Sequence, residues 1–393
     1  MKTRLMKIFS ATLAIATALA TARLALAQPA ASADVKNALK AQAEHFRIIH
    51  ERGQQAYYKP QFDLSQLPHY EPQAQVSGWI RIHGNNYLID GRLGEYWQKA
   101  FEKFQPGAHL SYFLPTSAAA LGALDYDLAE IVMSHKPSFY DLLAYERIKN
   151  FDPTEIAVVT GSYDVGGWDN SFVILVNDAN PLKGITMKQL DGVFGAPRDG
   201  GWVGTNWRPD LARGPEENIR TWGQLGVTGE WADKPIHLYG FSLRYNTAVD
   251  FCDRVLKGSD KWNENIHAYG NYMAPDGKRY VEADQITEAI GKDKYAIGYN
   301  RYRGEREHVK RLALGEDGPP VEHTIGNVQN RSYPLATHEY FYTSVAPGAK
   351  MDPKVREFIR FVLSQEGQAE VQRDGKFLPL TAEVVREQLK KIP

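Results

Sequence analysis

Apolar and polar positions along this 393-residue chain change period several times, and each change marks an element. Val35, Ala38, Leu39, Phe46 and Ile49 fall on one helical stripe, interrupted by Gln42, which predicts a helix capped by Asp34 and running to about Gln55. The Pro- and Tyr-bearing stretch from Tyr57 to Gln75 predicts irregular linker. From Gly78 onward, short apolar runs alternate with amphipathic ones. Strands are predicted at Trp79–His83, His109–Phe113, Asp127–Met133, Ile156–Thr160, Phe172–Val176, Pro235–Tyr239 and Tyr295–Tyr299. Helices are predicted at Leu93–Phe104, in the Ala-rich stretch through Leu124, at Ile185–Phe194 and at Ala248–Leu256. Near the carboxyl end, Val355, Phe358, Ile359 and Val362 share a helical face, with Asp352 placed as N-cap and Pro353 at the first helical position. Such alternation predicts an α/β fold with a mostly parallel sheet and helices on both faces.

The amino terminus changes the picture of where the chain works. Lys2, Arg4 and Lys7 precede an uncharged small and apolar stretch from Ile8 to Ala22, and Ala25-Leu26-Ala27 places small residues ahead of Gln28. This is the pattern of a secretory signal peptide cleaved near Ala27, which directs the chain to export. The stretch is shorter than the roughly 20 apolar residues a membrane span needs. Removing residues 1–27 deletes Lys2, Arg4, Lys7 and Arg23, so the formal net charge moves from −1 to −5. That mild acidity, with no Lys/Arg-rich run, gives no general attraction for nucleic acid or anionic lipid. The single cysteine, Cys252, cannot close an internal disulfide and reads as a buried thiol in a helix. The roughly 366 residues that remain exceed what one core usually holds, which predicts two lobes.

Particular wording then goes beyond periodicity. Tyr333-Pro334-Leu335-Ala336, Phe341-Tyr342-Thr343-Ser344-Val345, Glu366-Gly367-Gln368 and Lys376-Phe377-Leu378-Pro379-Leu380 frame the carboxyl-terminal helix. Earlier come Asn180-Pro181-Leu182, Trp222-Gly223-Gln224-Leu225-Gly226 and Tyr295-Ala296-Ile297-Gly298-Tyr299, all in the same order. The chain resembles the periplasmic phosphate-binding proteins that feed ABC transporters. The resemblance implies a two-lobed periplasmic binding protein fold of type II, with two crossings and a cleft between the lobes. On that pattern, residues 75–170 and 336–393 form one lobe and 171–335 the other, with 28–74 a preceding helix and linker.

In the family, four strand-to-helix turns face the ligand, and helix first-turn amides point at it. Here the first turn is Asn85-Asn86-Tyr87 after Gly84, and the second is Thr116-Ser117. Either could equally serve only as a helix cap. The third is Ser134-His135-Lys136-Pro137, where His135 stands in place of the family's aspartate and removes its preference for a protonated anion. The fourth is Arg244-Tyr245-Asn246-Thr247, in which Thr247 matches the family threonine, Tyr245-Asn246 replaces Ser-Gly, and Arg244 sits out of the family arginine's register. Micromolar affinity needs about 8 kcal/mol, and charge-assisted hydrogen bonds contribute roughly 1.5–3 kcal/mol each. Asn86, Ser117, Arg244 and Thr247 could together reach that.

No Gly-x-Ser-x-Gly elbow, His-Glu-x-x-His or phosphate-cradling Gly-x-x-x-x-Gly-Lys loop is present, and the pattern calls for no catalytic residue, metal or cofactor. The leading expectation is a monomeric periplasmic receptor, not an enzyme, that captures phosphate or a related small anion for an ABC-transporter permease and binds no nucleic acid. A secreted interaction or sensor protein built on the same two-lobed body is the second.

Overall fold

The computed structural model describes residue 40, residues 43–44, 47–59 and 61–392. The signal-peptide region and most of the helix expected from Asp34 lie outside the described residues. The chain divides into two units, Met1–Glu51 and Arg52–Pro393. In the first, Arg47 pairs with Glu44 at 2.6 Å and Glu51 at 2.5 Å, spacings of three and four residues that support a helix.

The second unit is built on two five-stranded sheets. Strands β1 (Ser77–Gly84), β2 (Gly107–Phe113), β3 (Ile131–Ser134) and β4 (Thr154–Thr160) belong to one sheet. Strands β5 (Phe172–Asn177), β6 (His237–Phe241), β7 (Ile266–Tyr269), β8 (Ala296–Arg301) and β9 (Val309–Arg311) form the other. Strand β10 (His338–Thr343) returns to the first sheet, giving the order β2-β1-β3-β10-β4 against β7-β6-β8-β5-β9. β1 runs parallel to β2 and β3, and β10 runs antiparallel to β3 and β4. In the second sheet β6 is parallel to β7 and β8, while β5 is antiparallel to β8 and β9. Every residue of β5 is buried, as a strand covered on both faces must be.

Helices flank these strands. In the first sheet's half they are α1 (Leu93–Glu102), α2 (Ala120–Asp125) and α3 (Phe139–Lys149). The second carries α4 (Met187–Phe194), α5 (Asn246–Val255) and α6 (Glu282–Lys292). The carboxyl end adds α7 (Pro353–Val362), α8 (Gln365–Asp374) and α9 (Ala382–Leu389). Asp352 caps α7 by accepting from the Lys354 amide at 3.0 Å, and Val355, Phe358, Ile359 and Val362 are all buried. Trp97 of α1, fully enclosed, stands edge-on to Phe341 and Phe358 and donates its indole N–H to the Gly367 carbonyl at 2.9 Å. In the second half Phe251 stacks on Tyr299 at 3.8 Å, beside the buried Cys252, whose thiol burial pushes up to about 12.

Three expectations are corrected. The strand expected from Asp127 begins only at Ile131, because Asp127 takes a left-handed turn (φ 54°) and the Leu128 amide bonds back to Ala123. Asp125, which polarity alone would place in a solvated loop, is buried at the end of α2, and that burial raises its carboxyl above its ordinary range. The helix expected from Ile185 begins at Met187. Thr186 and Gln189 form a capping box there, which leaves Gly184–Thr186 as a short strand pairing with Ala313–Gly315. The stretch 57–75 does lack helix and strand, yet it packs firmly. Tyr70 is buried, edge-on to Phe104 and Phe361, and donates to Glu357 at 2.8 Å.

The chain passes between the sheets twice, from β4 to β5 and from β9 to β10, and the two passages are bonded together. The Gly161 amide donates to Thr337 O at 2.8 Å, Phe172 N to Leu335 O at 3.2 Å, and the Thr337 hydroxyl to Asp169 O.

Candidate functional site

The cleft forms where strands of both sheets end and helices begin. After β3, the chain turns through Ser134-His135-Lys136-Pro137 into α3, which starts at Ser138 in a capping box with Asp141. After β2, Thr116 and Ser117 lead through a single 3-10 turn into α2. Facing them across the gap is the start of α5, whose N-cap Tyr245 makes no side-chain cap bond. No side chain caps its first turn, where the Ala248 amide donates to the Tyr245 carbonyl at 3.0 Å. These three starts enclose a cavity of about 180 Å³ lined by Ser117, Ser134, His135, Lys136, Asn246 and Asp250 among others.

His135 joins the two sides. Its Nδ1 lies 2.9 Å from the Lys136 carbonyl, which can only accept, so Nδ1 carries the hydrogen and Nε2 the lone pair. Ser117 Oγ then donates to Nε2 at 3.1 Å, and Asn246 Nδ2 reaches the same nitrogen at 3.5 Å. Side chains from both halves thus converge on one acceptor.

Beneath the cavity lies a buried ionic network. Asp250 Oδ2 accepts from Arg301 at 3.1 Å and its Oδ1 pairs with Arg254 at 3.2 Å. Arg301 also pairs with Asp169 at 3.1 Å and stacks its guanidinium 3.8 Å from the Phe172 ring centre. Arg254 donates to the Ala336 carbonyl at 2.8 Å. Burial alone would raise Asp250, but Arg254 and Arg301 outweigh it and hold the carboxyl below its ordinary value. Burial raises Asp169 against the pull of Arg301 and His135. Glu339, fully buried at the start of β10, is driven well above its ordinary value by burial and by the neighbouring Asp169 charge. The folded state thus favours its protonated, neutral form.

The sequence-predicted residues separate into two groups. Ser117, Ser134, His135 and Asn246 line the cavity. The others are placed as follows. Asn85 is buried and bonds Glu339 Oε1 at 2.8 Å, while its own Oδ1 accepts from the Tyr87 amide at 3.0 Å. Asn86 donates to Asp90. Tyr87 packs against Trp168 and Phe377, with ring centres 5.9 and 6.2 Å away. Tyr245 swings to the second sheet's edge, where its hydroxyl accepts from the Asn271 amide at 2.7 Å, and Arg244 lies over its ring at 5.7 Å. Thr116 is exposed beside Ser117, and Thr247 lies in the first turn of α5, neither lining the cavity.

Asp250, Arg254, Arg301, Asp169 and Glu339 were not singled out from the sequence. Asp250 and Arg254 carry one usable signal, since they fall four and eight residues beyond Asn246, on the same face of the helix. Arg301, Asp169 and Glu339 lie on three separate segments, and no spacing announces their meeting. Both arginines are committed to carboxylates and carbonyls, so the basic side chains left to the cavity are the His135 imidazole, which accepts at Nε2, and the Lys136 ammonium, 3.4 Å from Glu155. Against them stand Asp141, Asp250 and Asp253.

A second contact crosses between the halves. The hairpin Gly201–Val203/Asn206–Arg208 lays Trp202 on Phe139 of α3 at 4.7 Å. At its tip the Thr205 hydroxyl donates to the Glu146 carboxylate, with oxygens at 2.6 and 2.7 Å.

Two sheets of matching strand order, joined by two bonded passages with helix starts meeting at the gap, define a two-lobed binding-protein fold. The chain belongs to the PBP superfamily domain family, whose model matches residues 93–366. It is 28% identical over 329 residues to the phosphate-binding protein PstS of Pseudomonas aeruginosa, covering 83% of this chain and 90% of that one. Among solved structures, PstS from Borrelia burgdorferi aligns at 13% identity and TM-score 0.47, covering 78% of this chain and 100% of that chain. An ABC-type phosphate transport receptor from Vibrio cholerae aligns at 16% identity and TM-score 0.46, covering 76% and 99%.

Proposed function

We propose that this protein is a periplasmic receptor that captures phosphate, or a closely related oxyanion, between its two sheets and hands it to an ABC-transporter permease. It acts as a binding protein and not as an enzyme. The observation that carries this reading is the convergence of Ser117 and Asn246, from opposite sides of the cleft, on His135 Nε2. An oxyanion entering there takes over the Ser117 hydroxyl and the Asn246 side-chain amide at the start of α5, with Lys136 lining the same cavity. Because contacts come from both halves, binding favours the closed arrangement. The Asp250 carboxylate at the same cavity opposes a fully ionised guest and favours one that keeps a proton, as hydrogen phosphate does. Asp253, which burial raises to about 7, adds to this only where it is ionised. The basic, uncharged and small-residue pattern of residues 1–27 supports export, and the relative's name supports phosphate as the ligand.

Isothermal titration with phosphate, sulfate and molybdate tests the reading. Phosphate should bind at micromolar or tighter concentration. Ser117→Ala and Asn246→Ala should each weaken it by about tenfold, the worth of one charge-assisted hydrogen bond. Silence toward all three anions would favour an interaction or sensor role for the same body.

A further inference from the structure

A separate cationic cavity lies away from the cleft, where the linker after residue 51, the first passage between the sheets and the loop after β8 come together. Its volume is about 460 Å³, and Arg52, Arg303 and Arg306 line it together with Gly166, Asp164 and Asp284. Arg52 Nη1 and Arg303 Nε lie 3.5 and 3.6 Å from the point where a Cβ on Gly166 would stand. Two guanidinium groups therefore flank one small volume, which the missing side chain of Gly166 leaves open. Among the described residues, Arg52 and Arg303 make no side-chain hydrogen bond or ion pair, and Arg306 reaches only the Glu305 carbonyl, at 3.2 Å.

The nearby carboxylates do not pair with this group. Asp164 accepts from the Tyr58 hydroxyl at 2.8 Å. Glu305 is held by Arg311 at 2.5 Å and by the Tyr302 hydroxyl at 3.0 Å. Asp164, Asp284 and Glu282 remain beside three guanidinium groups and form no ion pair with them among the described residues. Partial desolvation by the surrounding protein holds Arg303, which keeps an exposed face, below its ordinary value; Glu282 and Asp284 oppose that shift, while Arg52 and Arg306 add to it. Unpaired guanidinium groups converging on a concave site match the geometry of a phosphoryl or similar tetrahedral oxyanion, whose oxygens can each take a forked pair of N–H donors.

We infer that the cavity bounded by Arg52, Arg303 and Arg306 is a second anion site, built for a phosphoryl-bearing ligand and independent of the cleft. Its position, touching the linker, the first passage and the second sheet's loop at once, means that an anion there ties these three segments together.

The test is calorimetric titration of the full chain with inorganic pyrophosphate, with glycerol 3-phosphate as a parallel arm to separate an inorganic from an esterified phosphoryl source. Arg303→Gln, Arg52→Gln and the cleft variant Ser117→Ala/Asn246→Ala are compared with the parent, with circular dichroism confirming that each is folded. Each arginine variant should weaken pyrophosphate by about tenfold or more, as expected for loss of a charge-assisted contact. The cleft variant should leave that event unchanged. Binding that survives both arginine changes, that disappears in the cleft variant alone, or that is absent from the parent overturns the inference. Failure of the cleft reading shows instead as phosphate binding that Ser117→Ala and Asn246→Ala leave unchanged, so the two results remain distinguishable.

Discussion

Asn85 Nδ2 donates to Glu339 Oε1 at 2.8 Å, joining the turn after β1 to the first residues of β10 inside the protein. An asparagine that the family pattern assigns to the ligand is thereby committed to a buried acid. Glu339 Oε2 has no partner, consistent with a neutral carboxyl whose desolvated charge would be costly.

That neutrality gives a pH prediction. The folded protein keeps a proton on Glu339 that the unfolded chain releases above about 4.5, so this group's contribution to stability falls as pH rises from there. The slope is about 1.4 kcal/mol per pH unit until the folded group itself ionises. Glu339→Gln keeps the acceptor for Asn85 and cannot ionise. Denaturant unfolding should show it gaining on the parent as pH rises above 4.5. A constant difference across that range would show that Glu339 ionises normally.

The opposite sign is expected at His323. It is buried, receives Arg311 Nη1 on Nδ1 at 3.0 Å, and contacts Ser171 Oγ through Nε2 at 2.5 Å. Burial, followed by the Arg311 charge, pulls it down to about 3. The unfolded chain takes up a proton near 6.5 that the native protein refuses, so stability is lost as pH falls below that value. His323→Gln should reduce the slope of unfolding free energy against pH between 6 and 4 by about one proton, or 1.4 kcal/mol per unit. An unaltered slope rules His323 out as a source.

A buried ion pair anchors the end of α4. Arg198 grips Asp191 with both terminal nitrogens, at 2.6 Å each, and Arg213 stands 3.5 Å away; all three are nearly enclosed. Removing the carboxylate strands two buried guanidinium groups. Asp191→Ala should cost about 3–5 kcal/mol by denaturant unfolding, the usual effect of breaking such a pair. A loss under about 1 kcal/mol would mean that water reaches the site.

The Thr205–Glu146 contact predicts a kinetic effect. It joins the two halves beside the cleft without touching the cavity. Thr205→Val should speed phosphate release several-fold in stopped-flow measurements. The overall fold should stay intact, and the ligand-free protein should show a larger radius of gyration by small-angle scattering. Identical release rates would assign the hairpin a purely structural part.

What could be read along the chain were the local regularities. Residues such as Phe172–Asn177, and the stripe Val355, Phe358, Ile359 and Val362, declare their strand and helix because burial of one face imposes a period. The wording around Tyr333 and Trp222 then carried the fold. Boundaries slipped where a turn or cap competed with the apolar pattern, as at Asp127 and Thr186.

Of the candidate site, Ser117, Ser134, His135 and Asn246 were legible because each sits at a strand-to-helix turn. Side-chain direction was not. Tyr245 turns away because the Asn271 amide offers it a hydrogen bond, and Asn85 turns inward toward Glu339. Periodicity is a property of neighbours within a few residues, so the sequence alone determined the elements and their alternation. Which charges neutralise one another beneath the cleft depends on Asp169, Asp250, Arg301 and Glu339 being brought together from distant segments. Electrostatic energy depends on distance in space, and only the tertiary structure supplies that distance.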